Sequence, residues 1–307
     1  MNSLRFAALS AALCCLFALP ARADLNVVTT LPDLAAITKA VGGDHTTVTT
    51  LALPTQDPHF VDAKPNLALA LNKADLLIVD GLDLEIGWLP TLQIGARNSK
   101  IQTGNTGYLD ASQFVKVLEA PTVKVDRSQG DVHPGGNPHY LHDPRAALSV
   151  ARGIETRLEQ LDSKNAAAYK ANLGKFSSEL EKARADWEKR LAALRGVPVI
   201  SYHKTTAYLG DWLGFDTVAY LEPKPGIPPT PSHVAEVLML GRQKKIRLVV
   251  QEEYYPDSTS KLVASKIPAG LVILPSGADF RGGETYIQRM ERLVKKLEQG
   301  LAASQGG

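Results

Sequence analysis

Imidazole groups are the chemistry this chain offers most plainly. It has seven histidines: His45, His59, His133, His139, His142, His203 and His233. A neutral imidazole is the commonest protein ligand for a transition metal, and its charge changes near neutral pH. Three of the seven share one kind of address. His59 closes Asp57-Pro58-His59 in a loop after a strand-like run. His139 closes Asn137-Pro138-His139 ahead of a helix, and His203 is the first residue after the apolar run Val197 to Tyr202. Proline restrains its own φ and the residue before it, so both Pro-His pairs fix where a ring points. A lone loop histidine is more often a solvated or capping residue; the shared address is what makes these three candidate ligands.

The other four histidines have plainer readings. His142 follows His139 by three residues and fits a supporting or surface position. His45 begins a strand at the wrong end and reads as surface, and His233 follows a helix cap and reads as solvated. His133 sits in the Gly-rich stretch Asp131 to Asn137 and is expected at most to collect metal. Carboxylates with the same address as the three ligands are Glu252 and Glu253, after the run Ile246 to Gln251, and Asp279, five residues past Leu274. Only one of them, or a water, can be a fourth ligand.

These residues need elements to position them. Strand-like runs at Leu25 to Thr30, His45 to Leu53 and Ala74 to Asp80 alternate with helical segments at Pro32 to Val41, Asn66 to Asn72 and Leu84 to Ala96, the last interrupted at Pro90. A weak strand begins at Ile101, and Pro144 opens a helix to about Leu161. The pattern resumes beyond residue 196, with strands at 197–202, 215–221, 246–251 and 270–274. The helix at 232–245 takes Ser232 as its cap. Such alternation predicts parallel α/β layers, and in open sheets of that kind ligands bind beyond the carboxyl ends of the strands.

Between the two stretches lies Ser163 to Arg195, free of proline, rich in Ala, Leu, Glu, Lys and Arg, with Tyr169, Leu173, Phe176, Leu180, Trp187, Leu191 and Leu194 on one stripe. It predicts one helix of about 50 Å, capped by Asp162 or Ser163. The division is then a leader at 1–23, an α/β lobe at 24–161, a long rigid linking helix at 162–196 and a second α/β lobe at 197–307. His59 and His139 precede the helix and His203 follows it, so a metal between the lobes would draw ligands from both. A helix spanning both lobes resists wide hinge bending.

Composition narrows the classes. With 44% hydrophobic and 21% charged residues the chain is globular. Residues 1–23 combine Arg5, an apolar run from Phe6 to Leu19 and Ala21-Arg22-Ala23, the pattern of a secretory leader cleaved after Ala23. That leader holds both cysteines, Cys14 and Cys15, so the exported chain has neither disulfide nor thiolate ligand. Without Arg5 and Arg22, the 34 basic residues fall to the number of acidic ones, 32. No basic stripe points to nucleic acid.

Taken with their order, Asp57-Pro58-His59, Asn137-Pro138-His139-Tyr140 with Asp143-Pro144, His203 after a strand, Glu222-Pro223 and the long central helix resemble the zinc/manganese-binding solute-binding proteins of bacterial ABC importers, the ZnuA/TroA-like cluster A-I family. The resemblance spans essentially the whole exported chain, and Asn-Pro-His-x-x-x-Asp-Pro is its most specific motif. It implies two α/β lobes bridged by a rigid helix, periplasmic location, one metal in the cleft held by His59, His139 and His203, and delivery to a permease and its ATPase. A periplasmic metallochaperone is a further candidate partner, and a monomer the expected state. Two departures stand out. Members often carry Asp directly after the last strand, where this chain has Pro275-Ser276-Gly277, leaving the fourth ligand between Asp279, Glu252 and water. The long His-rich loop of many zinc transporters is reduced to His133.

Three nitrogen donors favour Zn²⁺, since Mn²⁺ sites lean toward oxygen, while copper and nickel also bind imidazole well, so ligand type alone leaves the choice among them open. The rival class is an exported zinc-dependent hydrolase with a three-histidine site, because an open fourth position lets zinc lower the pKa of bound water. Against it, the chain has no His-Glu-x-x-His helix and no evident general base. A metal chaperone or adhesin on the same fold is a third reading.

Overall fold

Two parallel sheets of four strands form the framework of the computed structural model, which describes residues 25–125 and 130–304. The leader read over 1–23, with its cleavage point, lies outside the described residues. In the first lobe β1 (Leu25–Thr29), β2 (Thr46–Thr50), β3 (Leu76–Val79) and β4 (Tyr108–Asp110) line up in the order β2-β1-β3-β4. In the second, β5 (Pro198–Ser201), β6 (Asp216–Tyr220), β7 (Leu248–Glu252) and β8 (Gly270–Leu274) take the order β6-β5-β7-β8. The same layout is thus used twice. Every neighbouring pair is parallel, so each sheet needs cover on both faces. That is why β3, Leu-Leu-Ile-Val, and β7 are buried along their whole length.

The first lobe's cover comes from α1 (Pro32–Gly42), α2 (Pro65–Asn72), α3 (Leu89–Ala96) and α4 (Pro144–Leu161). Helices α6 (Ala207–Leu213), α7 (Pro231–Lys244), α8 (Ser258–Lys266) and α9 (Tyr286–Ala303) serve the second. The long helix α5 runs Ala166–Arg190, 25 residues, or about 37 Å at 1.5 Å per residue. Single 3-10 turns at Ser163–Asn165 and Ala192–Leu194 occupy the ends of the expected span. Its buried side chains, Tyr169, Phe176, Leu180 and Trp187, face α1 and α4 on one side and α9 on the other. One hydrophobic cluster therefore runs from Val27, Leu34 and Ile37 in the first lobe, through Tyr169 and Trp187, to Val199, Leu274 and Leu297 in the second. Each sheet's far face has a smaller cluster of its own.

Four local expectations are corrected. Asp162 does not cap α5; it closes α4 in a non-helical conformation, and its carboxylate accepts from Asn165 Nδ2 and Tyr169 Oη. The third helix starts at Leu89, not Leu84, with Pro90 inside its first turn. Proline has no N–H to lose there, so it opens the helix rather than breaking it. Likewise α7 opens on Pro231, and Thr230, not Ser232, accepts the backbone N–H of His233. The strand expected at Ile101 is a 3-10 turn, and β4 forms later, at Tyr108.

Polar contacts reinforce the lobe boundary. Asp33, on α1, accepts the backbone N–H of Ala278 at 2.8 Å and faces the buried Arg289 Nε at 3.6 Å. Tyr286 donates to the Leu141 carbonyl at 2.9 Å, and Tyr208 to that of Asn137 at 2.9 Å. Among the described residues no helix is long and apolar enough to cross a membrane.

Candidate metal centre

Both Asx-Pro-His sequences fold into the same local device. The Asp57 carboxylate accepts the backbone N–H of His59 at 3.0 Å, and the Asn137 side-chain oxygen accepts that of His139 at 2.9 Å. Such a turn, stiffened by the intervening proline, sets the ring direction within three residues. Distant residues then lock each turn. Trp88 Nε1 donates to the Pro58 carbonyl at 2.9 Å, and Asn137 Nδ2 to the Lys204 carbonyl at 2.8 Å. His203 is held differently: it leaves the end of β5, and its Nδ1 meets Glu222 at 2.6 Å.

The three rings form a near-equilateral triangle. Their centroids lie 5.4 Å apart for His59 and His139, and 5.3 Å for each pair with His203. One nitrogen from each lies within 4.8 Å of the other two. His59 and His203 are 3% and 2% exposed. Burial, with the His203 and His59 rings adding to it, holds the His139 imidazole well below its usual pKa, so it stays neutral with a lone pair to give. His59 Nδ1 donates to Asp57 at 2.7 Å, as His203 Nδ1 does to Glu222. Burial alone would raise the Asp57 carboxyl, but the bonds from His59 hold it below the usual range. An imidazole whose far N–H rests on a carboxylate is oriented and made more basic, as in carboxylate–histidine–metal arrangements.

The two candidate carboxylates stand outside the triad, at different distances from it. Asp279 is exposed, its carboxylate accepts the Gly282 N–H at 3.1 Å, and it lines an open cleft with Glu253 and Glu284. Glu252 is 1% exposed and shares with His139 and His142 the wall of a small cavity of about 50 Å³. Neither belongs to the group of nitrogens within 4.8 Å. Among the remaining histidines, His45 stacks edge-on against Tyr169, and His233 Nε2 meets the Tyr220 carbonyl at 3.0 Å. His142 is buried beside the site and kept neutral by that burial.

His133 departs most from its sequence reading. It is 9% exposed, its Nδ1 lies 3.0 Å from the Leu82 carbonyl, and its Nε2 lies 3.2 Å from His59 Nε2. Nothing local in Gly-rich sequence signals this; contacts with residues distant in sequence, Leu82 and His59 among them, place the ring.

Burial pushes the Glu252 carboxyl up to about 7 from an ordinary 4.5, the Thr205 hydroxyl opposing. Between those values the folded chain holds a proton that the unfolded chain has lost, so stability falls as pH rises through that window. Glu252→Gln removes the penalty. In the metal-free protein it should gain roughly 3 kcal/mol over wild type at pH 8 and almost nothing near pH 4.5. Urea melts at both pH values check this; an equal gain at the two would contradict it.

With that geometry in hand, the comparisons with known proteins are direct. A family model described as "Zinc-uptake complex component A periplasmic" matches residues 27–300. The chain belongs to this family. It is 26% identical over 290 residues to the manganese ABC transporter substrate-binding lipoprotein PsaA of Streptococcus pneumoniae, covering 90% of this chain and 89% of that one. It is 26% identical over 316 residues to the zinc-binding lipoprotein AdcA of Streptococcus pneumoniae R6, spanning 95% of this chain but 60% of AdcA. Among solved structures, the crystal structure of ZnuA superposes with a TM-score of 0.74 at 22% identity, covering 91% and 99% of the two chains. A Cd-bound periplasmic metal-binding protein from Candidatus Liberibacter asiaticus gives 0.73 at 21%, covering 90% and 98%. The family is that of metal-binding components of ABC importers, and its members divide between zinc and manganese.

Proposed function

We propose that this chain captures a zinc ion through His59, His139 and His203 and delivers it to an ABC permease. The observation that carries this reading is the donor set: three converging imidazoles, two of them backed by carboxylates. Nitrogen ligands suit zinc at 2.0–2.1 Å, whereas manganese is served by carboxylate, carbonyl and water. In this reading the leader at 1–23 exports the chain to the periplasm. There it works as a monomer, loaded from solution or by a metallochaperone, and docks on a permease with its ATPase. Binding without turnover is the expected behaviour, because the family is one of substrate-binding transport components and the sequence has no His-Glu-x-x-His helix.

Two measurements test it together: metal analysis of protein purified from the cell envelope, and competition titration of zinc against manganese. Zinc retained in stoichiometric amount and held against excess manganese supports the reading. Manganese retained in its place overturns the metal assignment, and ester hydrolysis lost in His203→Ala would favour the zinc-hydrolase alternative.

A further inference from the structure

We infer that Asn137 is a positioning residue that couples His139 to His203 across the seam between the lobes, and that its amide, with the Tyr208 hydroxyl, slows the departure of the metal; this rests on the three-histidine reading above. The two Asx-Pro-His turns are not equivalent. In the first, the Asp57 carboxylate takes both the backbone N–H and the ring Nδ1 proton of His59. In the second, the Asn137 oxygen accepts the His139 N–H at 2.9 Å, which assigns the other end of that side chain as its NH2. The NH2 donates to the Lys204 carbonyl at 2.8 Å and to Glu119 Oε2 at 3.0 Å. Lys204 follows His203 directly. One amide therefore links a ligand of the first lobe to the neighbour of the ligand of the second. An ionised aspartate has no proton to donate, so Asp at 57 and Asn at 137 each suit what their turn must hold.

The backbone of the same residue is held from the second lobe as well. Tyr208 stands on α6, which follows the 3-10 turn Lys204–Thr206 after His203. Its hydroxyl donates to the Asn137 carbonyl and accepts the Leu118 N–H, both at 2.9 Å. The Leu118 carbonyl in turn takes the Asn137 N–H at 2.9 Å. These segments pack too closely for a side chain between them: Gly136 has φ +116°, and a Cβ there would come within 2.2 Å of Val117 Cγ1. Tyr208 is buried, and its ring meets that of Tyr140, the residue after His139, edge-on at 6.2 Å. All the polar groups of Asn137 are thus engaged, two of them with the second lobe. Drawing His203 away from His139 breaks those bonds and strands buried donors and acceptors, which is costly. The clasp therefore adds to the barrier for release without adding a donor to the metal.

Zinc release into excess chelator, the visible spectrum of the cobalt(II) form and hydrogen exchange of the metal-free protein test the assignment. Asn137→Asp keeps an oxygen to cap His139 and loses the donor; Asn137→Ser does the same without adding charge. Each should release zinc roughly 10- to 100-fold faster than wild type, the range that loss of an outer partner costs, expressed in the off-rate. The cobalt(II) spectrum should stay that of wild type, because the donors are the same. Tyr208→Phe should act in the same direction. In the metal-free variants, exchange should quicken over 116–120 and 203–208 and stay unchanged over α5. Wild-type release rates in both Asn137 variants, or a lowered metal-free melting temperature with release unchanged, overturn the role of Asn137 and leave the three-histidine reading standing. Undiminished zinc affinity in His59→Ala, His139→Ala and His203→Ala overturns both.

Discussion

Replacing His203 with alanine lowers zinc affinity about 100-fold or more and removes most of the zinc-induced rise in melting temperature. In the proposed site its position would make it the decisive ligand, because His59 and His139 come from the first lobe while His203 alone of the three comes from the second. Zinc held by four protein donors gives about 10–16 kcal/mol, or about 3 kcal/mol per donor, which is roughly two decades in affinity. At a zinc concentration about 1,000 times the wild-type Kd, bound metal stabilises the fold by about 4.1 kcal/mol, and a hundredfold weaker site retains about 1.4 kcal/mol. Glu222→Gln keeps the shape of the support but not its charge, and should cost about 10- to 100-fold. Calorimetric titration and melting curves with and without zinc measure both. The metal-free curve separates lost ligation from lost packing, since His203 is itself buried. Wild-type affinity in His203→Ala would sink the site as drawn.

The second large effect lies at the seam between the lobes. Arg289 is fully buried, its Nη2 donates to the Pro275 carbonyl at 2.9 Å, and its charge faces Asp33 at 3.6 Å. Asp33 bridges the lobes by accepting the Ala278 N–H. The two ends of this pair are not equivalent. Asp33→Asn strands a guanidinium that cannot give up its proton, and breaking a buried pair in this way costs about 3–5 kcal/mol. Arg289→Met strands a carboxyl that can be neutralised. Burial already raises the Asp33 pKa although Arg289 opposes it, so without the arginine Asp33 takes up a proton. The folded-state pKa is then raised further, and stability falls as pH rises above the unfolded carboxyl value. Arg289→Met should therefore be mild at pH 5 and costly at pH 8, while Asp33→Asn is costly at both. Urea denaturation of the metal-free variants decides. Equal costs for the two at pH 5 would show that the pair's charge asymmetry plays no part.

Much of this molecule follows from short-range chemistry. Buried parallel strands must be apolar on both faces, so runs such as Leu76 to Val79 and Leu248 to Val250 declare themselves, and with them two α/β lobes. A proline-free stretch of strong helix formers declares α5. The aim of His59 and His139 is local as well, since each side chain is set by an Asx residue two positions before it. At Pro90 the structure departs from the sequence reading because a proline that opens a helix looks in sequence like one that breaks it, and at Pro231 the proline opens the helix ahead of the expected Ser232 cap.

Contacts between distant residues decide the rest. The convergence of His203 on the other two rings depends on a core that runs continuously through both lobes. The use of Asp279 as a cap for its own turn depends on where the chain goes after β8. His133 is the clearest case. Glycine-rich sequence has no preferred path of its own, and this ring meets the Leu82 carbonyl while Asp131, two residues before it, meets that of Pro225. Residue types and turn chemistry thus determined what kind of site this is, and only long-range packing and hydrogen bonding decided which side chains meet in it, because those bonds join positions that no local pattern connects.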